Sequence, residues 1–296
     1  MAGHATNYRG ILAMIGASAC FSANDTATKF AATILPVSEI VAIRGVFALL
    51  IALLVIYWRR EIFALPEIRN PYLLLRAFIE AFIGVLAIYA LALMPIANFT
   101  AIILVQPFLM TAIGAAWLGE QVGWRRWTAI AAGFAGMLLV MKPATEDFQL
   151  VSIVALVAAV LSIIRDLLVR KIGAHVPTTV ISFSTALFAV PVGLLGALAE
   201  PWRLPDFGIL SVIVVSAAFL FVAFLLTVMA FRGTDVSVVS PFRYSIVVFA
   251  FIFGVIAFGE VPDAVSLFGI GMIVAAGLYV LHRETIRRRQ EAAAQS

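Results

Sequence analysis

The stretch VVSPFRYSIVVFAFIFGVIAFGE, Val238 to Glu260, is almost wholly apolar, yet it carries Arg243 near its start with Tyr244 and Ser245 beside it. Other apolar stretches are interrupted in the same way, by Asn24, Asp25 and Lys29, by Arg44, by Glu80, and by Arg165 and Asp166. An arginine near the centre of a bilayer costs roughly 2.5–3.5 kcal/mol on insertion scales. It cannot escape by losing its proton, so it must face protein, water or a bound anion. Its planar donor fork matches a carboxylate. The chemistry on offer is therefore recognition of a charged small molecule. Bond-breaking is poorly served: the histidines are His4, His175 and His282, all in loops or near ends, and there is no HExxH, G-x-S-x-G or phosphate-cradling loop. No metal or cofactor is expected. With Cys20 as the single cysteine, no intrachain disulfide can form.

The elements that must position these residues are apolar runs. The chain is 64% hydrophobic and 12% charged, with a mean hydropathy of +1.10. Soluble domains carry about a quarter charged residues. The sequence pI of about 9.5 suggests nucleic acid only if the basic residues share a face, and they sit instead in short clusters between apolar runs. Ten such runs, at about 9–31, 36–57, 72–93, 97–118, 124–142, 150–171, 178–199, 208–231, 236–258 and 262–282, are each near the length needed to span a bilayer. Helices are expected, since lipid offers exposed backbone no partner and no alternating barrel pattern is present. With the N-terminus inside, Arg9, Arg59, Arg60, Arg69, Arg125, Arg126, Arg170, Lys171, Arg232, Arg283 and Arg287 to Arg289 fall on the cytoplasmic side. Only Lys142 and Arg203 fall outside. This asymmetry places both termini in the cytoplasm.

A shift of 140 or 141 residues aligns the two halves. LGEQ at Leu118 to Gln121 meets FGEV at Phe258 to Val261; Asp25 and Lys29 meet Asp166 and Arg170; Pro36 meets Pro177. This pattern predicts a duplicated five-helix unit, about 9–142 and about 150–283, within one transmembrane domain. Five is odd, so the second copy crosses the membrane in the opposite sense. The fold class is thus an all-α membrane protein of ten helices in a 5+5 inverted repeat, an arrangement suited to a carrier with substrate near the midplane. The same recurrence argues that the first run, despite the ASAC tetrapeptide at Ala17 to Cys20, is a retained span and not a cleaved signal peptide.

The proline-bearing fourth run ending in LGE, ILVQPFLMTAIGAAWLGE, and a ninth reading SPFRYS…FGEVPD resemble the drug/metabolite transporter superfamily, EamA type. Within it the chain is similar to the YddG-like amino-acid exporters of bacterial inner membranes. The resemblance implies an inner-membrane secondary carrier, exporting amino acids or similar small metabolites by alternating access. Uptake or exchange of S-adenosylmethionine or a vitamin is the alternative, and a passive channel a lower one. It also implies that Tyr89, Phe99, Phe108, Trp117 and Tyr244 lie in pathway-lining helices, where aromatic walls suit large apolar side chains. Pro107 lies 13 residues before Glu120 but Pro241 lies 19 before Glu260, so the two helices are expected to bend at different depths.

The candidate binding or translocation residues are Asn24, Asp25, Lys29, Arg44, Glu80, Tyr89, Phe99, Gln106, Trp117, Arg165, Asp166, Arg243, Tyr244 and Ser245. Asp25 and Lys29 stand one helical turn apart and read either as a structural pair or as part of a polar cavity. Asp166 could pair with Arg170, and Glu80 with Arg76. Arg44 has Thr185 as its repeat mate, so symmetry does not demand an arginine there. Arg243 either receives a substrate carboxylate or forms a fixed ion pair with Asp166 or Glu80. Glu120 and Glu260 are expected to sit at the positive ends of the helices that follow them. Glycines 133, 136, 269, 271 and 277 in the fifth and tenth runs read as a scaffold seam or a homodimer seam. The partners expected are a small-molecule substrate and membrane lipid, with no nucleic acid.

The topology has a direct check. Cysteines placed in the 31–36 and 143–149 loops should react with impermeant thiol reagents from outside, whereas those near Arg60 or Arg125 should not. Labelling of all four sites from one side would exclude the inverted repeat.

Overall fold

Each apolar run is helical, since only a helix satisfies backbone donors and acceptors without help from solvent. The computed structural model describes residues 4–117, 123–142, 150–169, 171–173, 175–199, 201–231, 234 and 236–295. In chain order the helices are α1 (His4–Ala32), α2 (Val37–Trp58), α3 (Pro71–Leu93), α4 (Ile96–Ile103), α5 (Gln106–Trp117) and α6 (Trp124–Met141). There follow α7 (Val151–Val169), α8 (Thr178–Gly196), α9 (Phe207–Phe231), α10 (Val236–Val239), α11 (Ser245–Phe258) and α12 (Ala264–Gln295). Short 3-10 helices occupy Ile62–Arg69 and Ser240–Tyr244, and no strand occurs among the described residues. Among the described residues, eight helical stretches are long and apolar enough to cross a membrane. α1 and α6 are not among them, their mean hydropathy being lowered by Asn24, Asp25 and Lys29 in α1 and by Arg125 and Arg126 in α6.

Prolines open several helices. Pro36, Pro95 and Pro177 cap α2, α4 and α8, where a missing N–H costs nothing because the first helical donors lack partners anyway. Elsewhere proline interrupts. Between α4 and α5 the ladder tightens to a 3-10 bond from Val105 N to Ile102 O, and Pro107 has no N–H to restore it. Pro241 sits in the 3-10 turn between α10 and α11. The two interruptions were expected at different depths. Yet residue 104, shifted by 140, is residue 244, the last of that turn. Pro107 follows its break, whereas Pro241 lies within the 3-10 turn, and at this shift the two breaks meet only at their edges.

The chain divides into two compact units. The first comprises Met1–Thr26, Met94–Ser152 and Phe219–Ser296; the second comprises Ala27–Leu93 and Ile153–Ala218.

In the first unit α6 packs along α12 with Gly136 and Gly269 face to face. A Cβ on either would lie 2.5–2.6 Å from the other's carbonyl oxygen, so the backbones are in contact. This glycine pair serves a seam inside the chain, while Gly271 faces open space. Phe108, fully buried, fills the notch at Gly133, and the Tyr244 ring fills that at Gly277. Glu260 serves a helix distant from it in sequence. Its Oε2 accepts the Ile96 N–H at 3.1 Å, placing the carboxylate at the N-terminus of α4. The carboxylate finds a positive helix end, but on an element distant in sequence. Glu120 lies outside the described residues. Asp263 performs the local capping: its Oδ1 accepts from Val265 N and Ser266 N, and its Oδ2 from Ser266 Oγ and Lys142 Nζ.

In the second unit α8 packs on both α2 and α3. Gly193 and Gly196 let α8 approach the start of α2, where a Cβ would meet Ser38 and Ala42. Trp202 is tied down here, its Nε1 donating to Ser38 Oγ at 2.9 Å. Glu39, 2% exposed, accepts the Arg203 N–H at 3.1 Å. An apolar core of Ile40, Val41, Ile88, Ile209 and Ile213 lies at this end, and another of Ile56, Leu73 and Val180 toward the Ile62–Arg69 turn.

Lys142 and the helix donors hold the Asp263 carboxyl well below the usual carboxylate range. A depressed folded-state pKa adds stability above the unfolded value, about 3.9, and that stability is lost as pH falls through the folded value. Asp263→Asn should therefore lower the midpoint of thermal unfolding at neutral pH by roughly 2 °C. The difference from wild type should narrow below about pH 4, and a difference that widens on acidification would contradict this account.

Candidate functional site

The second unit holds most of the polar side chains that enter its apolar interior. In α1, Thr28 is 2% exposed and Lys29 5% exposed. Arg44 NH1 donates to Thr28 Oγ1 at 3.2 Å, and that hydroxyl shares a 2.9 Å hydrogen bond with Ser216 Oγ of α9. Thr28 thereby links α1, α2 and α9 through one oxygen. Lys29, buried and one residue along, adds a second cation to the neighbourhood.

A second cluster joins α3, α7 and α8. Arg76 NH2 pairs with Glu80 Oε2 at 3.2 Å across one helical turn, and Arg76 NH1 donates to Thr185 Oγ1 of α8 at 2.8 Å. Arg165 NH1 grips both Glu80 oxygens at 2.9 and 3.0 Å. Arg165 Nε and NH2 both reach Asp166 Oδ1 at 2.9 Å. Glu80 is thus shared between two guanidiniums, and the four ionised groups sum to zero. Arg76 Nε is buried with no hydrogen-bond partner. Asp166, 48% exposed, turns to its neighbour Arg165; Arg170 lies outside the described residues. Tyr89 is 45% exposed on α3.

In the first unit Asn24 Nδ2 donates to Asp25 Oδ1 at 2.9 Å. At the 3-10 turn the interrupted ladder is repaired from α1. Ser22 Oγ donates to the Ile246 carbonyl at 3.2 Å, and Ser18 Oγ lies 3.5 Å from the Arg243 carbonyl. The Arg243 side chain is exposed and makes no ion pair among the described residues, while Glu80 and Asp166 have the arginine partners given above. Tyr244 is buried against α12, so its ring packs on Gly277. Ser245 Oγ, Thr100 Oγ1 and Asn98 Oδ1 are buried without a hydrogen-bond partner, in α11 and α4, which pack together. Phe99 is buried and Gln106, the first residue of α5, half-buried. The Trp117 side chain lies outside the described residues.

Thr28, Ser216, Thr185, Ser18, Ser22 and Glu39 were not singled out from the sequence. Small hydroxyls are common in membrane helices and carry no charge to attract notice. One signal was present: Thr185 stands at the repeat position of Arg44.

The model of the EamA-like transporter family matches residues 8–142 and again 149–281. The S-adenosylmethionine uptake transporter of Rickettsia bellii is 25% identical over 265 residues, 89% of this chain and 90% of the relative. The riboflavin transporter of Vibrio cholerae is 31% identical over 222 residues, 74% of each chain. The pseudopaline exporter of Pseudomonas aeruginosa is 29% identical over 272 residues, 90% of this chain and 94% of the relative. A solved crystal structure superposes with a TM-score of 0.64 over 94% of this chain and 98% of its own, at 20% identity, which establishes a shared fold. Two family matches covering nearly the whole chain, on an all-helical fold with spans of membrane length, make it a member of the EamA-like transporter family, a multi-pass transporter of the bacterial inner membrane and not an enzyme.

Proposed function

We propose that the chain is a secondary carrier exporting small metabolites with an α-amino-acid end and a large apolar or aromatic end, by alternating access between two inverted repeats. The observation that carries this reading is the pair of half-buried guanidinium–hydroxyl contacts, Arg44 with Thr28 and Arg76 with Thr185. Such arginines suit carboxylates, and the carboxylate beside Arg76, Glu80, suits an ammonium. The double match to one family model supports the repeat. Phenylalanine, tryptophan and methionine meet the description.

A second reading has its own support. S-adenosylmethionine joins a methionine end to an adenine ring and meets the same description, and relatives named for its uptake cover about nine-tenths of this chain. Uptake or exchange of S-adenosylmethionine is then the activity.

Counterflow in proteoliposomes separates the readings. A carrier for amino-acid-ended substrates should accumulate labelled phenylalanine or S-adenosylmethionine when the unlabelled compound is inside, with no such trans-stimulation from a channel. Transport of riboflavin with both of those ignored would overturn the proposal.

Arg243 supplies a second test. If its fork reads the carboxylate, Arg243→Lys should cut transport by roughly tenfold or more, the loss of one bidentate contact, and barely move the unfolding midpoint. A fall in stability in step with transport would remove Arg243 from the binding residues.

A further inference from the structure

The two guanidinium–hydroxyl contacts of the second unit are related by the internal repeat with their roles exchanged. Arg44 of α2 has Thr185 of α8 at an offset of 141, and Arg76 of α3 has Ser216 of α9 at an offset of 140. On one side the arginine of α2 reaches the α9 serine through Thr28; on the other the arginine of α3 reaches the α8 threonine directly. Duplication alone would place two arginines, or two hydroxyls, at matched positions. Instead the repeat position of each arginine, Arg44 or Arg76, is a hydroxyl belonging to the other station, Thr185 or Ser216.

Their depths differ. Arg44 lies seven residues into α2, about 10 Å, and Arg76 five residues into α3, about 7 Å. The short Ile62–Arg69 turn joins the end of α2 to the start of α3, so these depths count from opposite ends. Since α2 is about 33 Å long, the two stations lie roughly 15 Å apart along the helix axes.

From this we infer that Arg76, with Thr185 and Arg165, forms a second carboxylate-binding station, and that Glu80 occupies it as an internal stand-in until a substrate carboxylate displaces it. The identity of the substrate rests on the function proposed above; the station itself does not. Three observations support it. Glu80 is held as a bound carboxylate would be, with both oxygens on Arg165 and one on Arg76. Arg76 retains a buried Nε donor with no acceptor, so its fork is not saturated. Thr185 Oγ1 orients the fork from the far side by accepting from NH1.

The test uses the full-length chain in detergent, with phenylacetate as an aromatic carboxylate and phenylacetamide as its neutral counterpart. Glu80→Gln keeps the shape and removes the competing charge, leaving the station with one net positive charge. Phenylacetate affinity should rise about tenfold while phenylacetamide affinity is unchanged, the scale of one charge-assisted contact. Arg76→Gln added to Glu80→Gln should abolish the gain. A purely structural Glu80 would instead lower the unfolding midpoint and leave the discrimination between the two probes unmoved, and that result overturns the proposal. A measurement on wild type needs no variant to fold: phenylacetate, at a concentration high enough to offset the charge cost of displacing Glu80, should slow phenylglyoxal modification of Arg76 at least threefold, and phenylacetamide at the same concentration should not. An unchanged rate also overturns it. If the gain is seen but counterflow shows no amino-acid-ended substrate, the station stands and the proposed function falls; the reverse pattern removes the station alone.

Discussion

Glu80 shared between Arg76 and Arg165 is the interaction on which the second unit depends. Removing two guanidiniums and a carboxylate from water costs several kcal/mol per ion, and attraction offsets this only where the geometry is good and the remaining donors are met. Both Glu80 oxygens are engaged, Asp166 takes the rest of Arg165, and Thr185 takes one end of Arg76. The cluster ties α3 to α7 and α8 and carries no net charge. Such a group is poor evidence for stability, because a well-packed apolar set of similar size could stabilise as well or better. Its retention inside an apolar helix bundle is better explained by use.

The same rule, that lipid offers no partners, shapes the first unit through its backbone. A proline in a spanning helix frees carbonyls that nothing in hydrocarbon can bond. Ser18 and Ser22, one turn apart on α1, reach the Arg243 and Ile246 carbonyls beside the 3-10 turn. Glu260 does comparable service for a donor, taking the first N–H of α4. This carboxylate is therefore a cap that joins elements distant in sequence.

Much of this was legible in the sequence, and the limits have physical causes. Apolar runs longer than a bilayer is thick leave helix as the only outcome, so the positions of α2, α3, α8 and α9 followed closely. The one-turn spacing of Arg76 and Glu80 predicted their pair, since residues four apart share a helix face. Contacts between distant elements were not legible. Nothing local links Arg165 to Glu80, Glu260 to Ile96, or Ser22 to Ile246, and each depends on how helices pack. Tyr244 shows the same limit. Its ring lies against Gly277, a contact between positions distant in sequence.

Charge balance adds a constraint on what such a bundle can carry. With two arginines and two carboxylates, the cluster around Glu80 is neutral. A simple anion that displaced Glu80 from the guanidiniums would bring a third negative charge into an apolar interior and leave one carboxylate unpaired there, the costly outcome. A zwitterion does not. Its carboxylate takes the place of Glu80 on the arginines, and its ammonium can pair with the displaced Glu80, so neutrality is kept at each step. The same balance holds wherever a guanidinium and a carboxylate lie within reach of one another along the path. On the proposed function, selection for an amino-acid end over a bare acid would follow from the sum of charges already in place, without any contact dedicated to rejecting anions.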